Sequence, residues 1–432
     1  MSSPPPSDAT AVHGPLVIDR QFAGDLLMAV DPVTPEHTNE QVAEIFARHR
    51  WMQNLPVVHG RRPMGLINRN LFHNMMAKPY YPELYNRQSC IAFMDKNPLV
   101  AEVSTPIRQL TAMAVRMGEK VFADGFILVD NGVYAGVGQT LDLMEAMTEL
   151  QERQHRQLLE SIHYASLIQT ALLKPARQAM AGHLPSRHWV VWRPRDVVGG
   201  DFFHFVSLED GFLAVLVDCT GHGVPGAFMT LIAQAALERA LAEHGHDDPA
   251  ALLAAMNRDI KHTLNQYQTG AAGEIPLEDS DDGLDAVLLR VRPRAGQWAF
   301  AGARSPLLRI PPPQAGAAEY LRGDRHGVGY RSTPHDTRWQ NHHGSCLPGE
   351  RFYLVSDGVI DQIGGEKRIA FGKKRLAQCL QETRHLDMEA QEKGFSETFS
   401  TYQGPEAARD DITLIGLEPF PPTGRRSDSH EP

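Results

Sequence analysis

GFLAVLVDCTGHGVPGAFM, residues 211–229, is the stretch on which the reading of this chain turns. Its apolar run from Phe212 to Val217 reads as a buried strand. The run ends on Asp218, and a glycine-rich turn then leads into a helix. A carboxylate beside a buried strand is costly unless something offsets its charge. Three further stretches carry the same conflict: VVGGDFFHF (Asp201), RFYLVSDGVIDQIGG (Asp357) and RDDITLIGL (Asp410, with Asp411 beside it). Turn chemistry explains any one Asp-Gly pair, because Asp and Gly dominate turns generally. It does not explain four aspartates, each at the end of its own apolar, strand-like run. Carboxylates meeting at one sheet edge repel one another, and divalent cations resolve that repulsion. An all-oxygen set favours Mg²⁺ or Mn²⁺ over Zn²⁺. The pattern reads as a two-metal hydrolytic site.

Composition narrows the alternatives. A chain of 432 residues is long for one domain, and 42% apolar content is enough for real cores. The formal charge of −10 argues against a nucleic-acid or anionic-membrane surface, which needs a basic patch. Cys90, Cys219, Cys346 and Cys379 form no C-x-x-C pair, so neither a disulfide framework nor a zinc knuckle is indicated. The start, MSSPPPSDATAVHG, lacks the basic and apolar segments of a secretory signal. No run approaches the ~20 apolar residues that span a bilayer. These features lead to the expectation of a soluble, cytoplasmic protein with no membrane and no nucleic-acid partner.

Residues 1–14 and the tail 421–432 read as disordered from their Pro, Ser and polar content. The block from 15 to 140 contains a weak internal repeat, one copy in residues 29–76 and one in 97–147. Each copy offers an entry strand, an amphipathic helix, a hairpin (turning at HGRR or DNG) and a second helix. Thr38 or Asn39 caps the first helix, and Ser104-Thr105-Pro106 places proline just inside its counterpart. Val57-Val58 and Ile127-Leu128-Val129 read as the buried strands. This β-α-β-β-α repeat resembles a tandem CBS-domain pair. In that family an aspartate after the second hairpin strand holds the ribose of an adenine nucleotide. Asp142, in Gly136-Val-Gly-Gln139-Thr140-Leu-Asp142, stands at the matching position, with Gln139 in the usual Ser/Thr place. The first copy offers only Asn68 and Asn70 there.

Residues 141–175 contain no glycine and no proline before Pro175, and their apolar positions recur at helical spacing. Leu158, Ile162, Ala165 and Ile168 form a seam suited to a short two-stranded coiled coil, hence to a homodimer. One long helix lying on its own domain is the competing reading. The block from 185 to 418 alternates β-rich runs with long amphipathic helices, an α+β layered pattern.

This third block resembles a bacterial PP2C-type serine/threonine phosphatase of the SpoIIE/RsbU kind, and within it the SiaA-related subgroup. The resemblance rests on VVGGDFF, VDCTGHGVPGAFM, GLDAVLLRV, FAGARSPLLRI, RGDRHGVGYR, YLVSDGVIDQIGGEKRIAFGKKRL and RDDITLIGL. SIHYASLIQTALL, before it, resembles the helix that enters this domain in the family. The resemblance implies an α-β-β-α sandwich with two Mn²⁺ or Mg²⁺ ions in its cleft. Asp218 matches the bridging aspartate, and Cys219 stands where the family uses a main-chain carbonyl. Asp201, Asp357 and Asp410 match the remaining carboxylates, with Asp201 and Asp218 central to catalysis. Asp411 and Asp285 are secondary metal candidates. In this reading metal-activated water attacks the phosphoryl group, so no side-chain nucleophile is required. No Cys-x₅-Arg loop surrounds Cys219. His222 is a possible proton donor or a packed turn histidine, and Arg195 a phosphate contact or a solvated ion pair.

The resemblance further implies a phosphoserine or phosphothreonine protein as substrate, a STAS-like switch protein, acted on under the control of the N-terminal module. The alternative is an inactive pseudo-phosphatase that only binds its partner.

Overall fold

The computed structural model describes residues 20–266 and 281–420, so both terminal segments read as disordered lie outside the described residues. The chain divides into two compact units, Met1–Leu158 and Leu159–Pro432.

The first unit runs α1 (Asn39–Arg48), β1 (Asn54–His59), β2 (Arg62–Asn68), α2 (Arg69–Met76) and α3 (Tyr81–Tyr85). It continues with β3 (Leu99–Glu102), α4 (Ile107–Met117), α5 (Glu119–Asp124), β4 (Phe126–Asp130) and β5 (Val133–Gly138). Thr38 is the cap of α1: its side chain accepts from the Gln41 amide, and Gln41 Oε1 accepts from the Thr38 amide at 2.9 Å. Pro106 stands one position before α4 rather than inside it. Its carbonyl accepts the first helical hydrogen bond, from Leu110. Both hairpins are antiparallel, and β3 lies parallel to β4. In the first copy the entry strand shrinks to a single parallel bridge between Val33 and Val57. Alternation along β4 joins the copies: Phe126 and Leu128 enter the core around Leu110, while Ile127 and Val129 enter the one around Phe46 and Phe72.

The helix α6 spans Thr140–His183, passing through Pro175 where the sequence reading ended it. Proline removes one helical hydrogen bond and crowds the preceding turn. Here Leu173, Ala176 and Met180, on either side, are buried in the core of the second unit and offset that cost. Leu158, Leu159, Leu167 and Ile168 are exposed.

The second unit holds two antiparallel five-stranded sheets. The first has the order β13-β10-β9-β8-β7: His342–Ser345, Gln297–Ala303, Leu284–Arg292, Gly211–Cys219 and Asp201–Leu208. The second has the order β12-β11-β14-β17-β6: Glu319–Leu321, Leu307–Ile310, Arg351–Val355, Ile412–Leu417 and His188–Arg193. A two-residue hairpin, β15 (Ile363–Gly364) with β16 (Ile369–Ala370), lies outside them. Helices α7 (Gly223–His244) and α8 (Pro249–Thr263) pack on the first sheet, α10 (Gly372–Glu382) and α11 (Met388–Gln403) on the second. One-turn α9 (Asp357–Asp361) follows β14. Strand β7 was missing from the sequence reading, and Asp201 opens it rather than ending a run. DFFHFVSL is apolar on consecutive positions and lacks clean alternation.

Parity sets the layers. Phe352, Leu354, Ile415 and Leu417 share a core with the first sheet, while Tyr353, Val355, Ile412 and Leu414 face α10 and α11. Gln391 of α11 is fully buried there. Its Oε1 accepts from Tyr353 Oη at 2.8 Å and Trp189 Nε1 at 3.4 Å, and its Nε2 donates to Leu380 O and Thr383 Oγ1. Such a network stabilises only while every member is satisfied. Gln391→Leu strands several buried polar groups, and we expect a loss of about 3 kcal/mol. Urea unfolding checks this: the midpoint should fall with an unchanged slope.

Candidate metal centre

Antiparallel register gathers the acidic residues. Asp201 of β7 pairs with Asp218 of β8, and Asp218 pairs with Asp285 of β9. Residues directly opposite on neighbouring strands share a face, with Cβ atoms about 4.5–5.5 Å apart. Three aspartates therefore form one row across three strands. The second sheet meets this row at its own strand ends. The Asp357 amide donates to Asp218 Oδ2 at 3.3 Å, and Thr413 Oγ1 donates to Asp201 Oδ2 at 2.5 Å.

Asp411 does different work from its neighbours. Its Oδ1 accepts from the Arg195 amide at 2.6 Å and its Oδ2 from the Gly200 amide at 2.5 Å. It is buried, and both oxygens are occupied in fastening the Val198–Asp201 loop to β17. Asp410 is half-exposed, and one of its oxygens accepts from the Asp411 amide. The loop demands glycine: a Cβ at Gly200 would lie 2.6 Å from Gly221 O and 2.9 Å from Cys219 O, and one at Gly199 would strike the Asp411 carboxylate.

The electrostatics follow from crowding. Burial holds Asp201 well above the usual carboxylate range, with Asp411 and Asp410 adding repulsion and Thr413 opposing it. Asp218 is raised by burial and then by Asp201 and Asp357. Asp357 is raised by burial and by Asp410 and Asp361. Asp285 is pushed up to about 6 by burial, against the pull of Arg304 and of the Tyr330 hydroxyl 3.3 Å away. The Cys219 thiol is raised well above its ordinary value by burial and the surrounding aspartates, so it is no thiolate nucleophile. His222 Nδ1 lies 2.8 Å from Asp196 Oδ2 on the exposed rim. The Arg195 guanidinium is turned to Arg409 O.

Among the described residues, no group of three or more His, Cys, Asp or Glu side chains stands close enough to hold a metal ion as placed. The donor set nevertheless fits a hard cation. It consists of carboxylate and backbone oxygens, and Asp201 carries a buried Oδ1 with no hydrogen-bond partner. Asp201, Asp218, Asp357 and Asp410 are brought to one edge, with Asp285 completing the row. Asp142 belongs to the first unit, in the first turn of α6. Thr413 was missed by the sequence reading. Its signal is faint: it stands two positions after Asp411, hence on the same face of β17.

The Asp285 shift has a pH consequence. A carboxylate whose folded value is raised favours folding below its ordinary value of 3.8, and that contribution is lost as pH rises through about 6. In EDTA-treated protein Asp285→Asn should therefore stabilise the fold above that pH and leave it unchanged below 3.8. With the side chain 29% exposed, the gain is discounted for solvent screening to roughly 1–2 kcal/mol. Thermal unfolding across that pH range checks both sign and window.

The family model for stage II sporulation protein E (SpoIIE) matches residues 209–419. No curated protein matches the chain. Among solved structures, the SiaA-PP2C domain of Pseudomonas aeruginosa is 37% identical, with 61% of this chain and 98% of that chain covered and a TM-score of 0.54. The PP2C domain and regulatory fragment of SpoIIE from Bacillus subtilis is 14% identical, covering 54% of this chain and 62% of that one at a TM-score of 0.40. The catalytic domain of the serine threonine protein phosphatase PstP, solved in complex with two manganese ions, is 13% identical, covering 54% and 97% at 0.38. Two sheets enclosing a carboxylate edge, in a stretch that matches nearly the whole SiaA domain, lead to one conclusion: the chain belongs to the SpoIIE family and carries its PP2C-type serine/threonine phosphatase domain.

Proposed function

We propose that the chain is a divalent-metal-dependent protein phosphatase of bacterial signalling, which removes phosphate from phosphoserine or phosphothreonine of a STAS-like switch protein. The observation that carries this reading is the Asp201–Asp218 register pair, with the Asp357 amide on Asp218 and an unpartnered buried oxygen on Asp201. Asp218, Asp201, Asp357, Asp410 and the Cys219 carbonyl would hold two Mn²⁺ or Mg²⁺ ions. Bound there, the ions would supply an activated water and charge neutralisation for in-line attack on phosphorus. Thr413 holds one oxygen of Asp201 and so orients the other. Asp411 is assigned to the loop rather than to the metal, because both its oxygens already accept backbone amides. His222, on the rim with Asp196, is the residue assigned to hand a proton to the departing seryl oxygen.

The N-terminal unit is read as a tandem CBS-like sensor, on the strength of its repeated hairpins and the cores they share. The exposed apolar residues of α6, Leu158 and Ile168 among them, support a homodimer. An adenine nucleotide is the ligand assigned to Asp142. Among the described residues no helix is long and apolar enough to cross a membrane, and a cytoplasmic site of action is part of the proposal.

Turnover of a chromogenic phosphate ester with Mn²⁺, abolished by EDTA, tests the enzyme against the partner-binding alternative. Asp218→Ala should lower that turnover by at least about a thousandfold while far-UV circular dichroism stays unchanged. Near-wild-type turnover in the variant would sink the assignment. Calorimetry with AMP, ADP and ATP tests the sensor: Asp142→Ala should weaken binding by about 1.5–3 kcal/mol, as for a hydrogen bond to a charged group. No binding to the wild type at millimolar nucleotide removes that part of the proposal.

A further inference from the structure

Gln169 of α6 reaches the loop that leads to the carboxylate edge. Gln169 is buried, 6% exposed. Its Nε2 donates to Gly199 O at 2.7 Å, and the Gly199 amide donates to its Oε1 at 3.2 Å. The side-chain amide thus pairs with one glycine as a neighbouring strand would, satisfying both of its ends. A buried amide left unpaired would be costly, so the pairing fixes helix and loop together.

The consequences run straight into the metal edge. The next amide, Gly200 N–H, is held by Asp411, and Gly200 O accepts from the Cys219 amide at 3.1 Å. Asp201 follows directly. The loop has no side chain at Gly199 or Gly200 by which to anchor itself. It is held by Asp411 from the β17 side and by Gln169 from the α6 side. Along α6, Leu167 and Ile168 are exposed whereas Leu173, Ala176 and Met180 are buried. Gln169 therefore sits where the helix first engages the phosphatase core.

We propose that Gln169 is a positioning residue: it sets the Val198–Asp201 loop so that the Asp201 carboxylate stands opposite Asp218, and it passes the position of α6 to that edge. The proposal rests on the metal-centre reading given under Proposed function. Rotation or withdrawal of α6 would break both hydrogen bonds at once and free the loop on that side. The expected result is a change in metal affinity more than in the chemistry at saturating metal.

The test uses the full chain. Gln169→Met keeps the side-chain length and removes both hydrogen bonds. Gln169→Glu keeps the acceptor for Gly199 N–H and loses the donor. Leu173→Ala serves as a control that loosens the same helix without touching the loop. For Gln169→Met we expect Mn²⁺ binding weakened by about tenfold in calorimetry, and faster amide exchange over residues 196–203. Turnover at saturating Mn²⁺ should stay within about threefold of wild type. Gln169→Glu should fall between the two, and Leu173→Ala should lower the melting temperature with Mn²⁺ affinity unchanged. Wild-type Mn²⁺ affinity and loop exchange in Gln169→Met overturn the proposal.

Should the variants not fold, metal-free wild type decides. Residues 196–203 should open together with residues 165–172 in amide exchange, and a loop that stays protected while that helical segment exchanges freely overturns the proposal. If wild type neither binds Mn²⁺ nor turns over ester, the metal-centre reading falls, and the exchange coupling still shows whether Gln169 holds the loop.

Discussion

The second unit is organised around a repulsion. Antiparallel register places Asp201, Asp218 and Asp285 side by side on three adjacent strands, and the second sheet adds Asp357 and Asp410. Left to themselves, such groups would separate or stay protonated. They are kept together by hydrogen-bonded ladders on either side, which cannot slip by one residue without turning every side chain to the opposite face. The fold thus stores unfavourable electrostatics at one edge and compensates elsewhere, through two apolar layers and the fully bonded Gln391 network. A cation reverses the sign of that local balance.

The carboxylates at this edge divide into two kinds. Asp411 lies buried on the inner face of β17 and spends both oxygens on backbone amides, so it acts as a brace between the sheets. Asp410 lies one residue earlier, is half-exposed, and accepts from the Asp411 amide. Sequence alone presents the two as an adjacent, chemically identical pair. Their hydrogen bonds separate them: Asp411 accepts the Arg195 and Gly200 amides, and Asp410 accepts the Asp411 amide. Thr413, on β17, is placed beside Asp201 by its own hydroxyl hydrogen bond.

Much of the second unit was legible because its strands are long and its punctuation sharp. GFLAVLVD, DAVLLRVRP and ITLIGLEP fall on strands β8, β9 and β17, and long helices lie between them as the layered pattern implied. Strand β7 escaped because Phe202 and Phe203 are both buried, one on each face, which erases alternation. The end of α6 escaped because Pro175 is a local signal and the burial of Leu173, Ala176 and Met180 is a tertiary one, and here the tertiary term prevails. Register was the hidden variable at the site. Asp285 carried no local mark to separate it from a turn residue at the start of a strand, and only its pairing with Asp218 puts it in the row.

The parts of the edge differ in compliance, and this decides where control can act. Asp218 ends a strand hydrogen-bonded on both sides, by β7 and β9, and moving it would break two ladders. Asp357 opens a helical turn packed against β17, and a Cβ at Gly358 would meet the Asp411 carbonyl, so that approach is already tight. Between β6 and β7, however, the chain crosses from one sheet to the other through Val198, Gly199 and Gly200, a buried loop outside both ladders, held by hydrogen bonds with Gln169, Asp411 and the Cys219 amide. A structural change too small to disturb the sheets can still move this loop. Asp201 follows it directly, and its carboxylate is opposed by burial and by Asp411 and Asp410. Control applied at the loop therefore reaches the Asp201 carboxylate without breaking either ladder of β8.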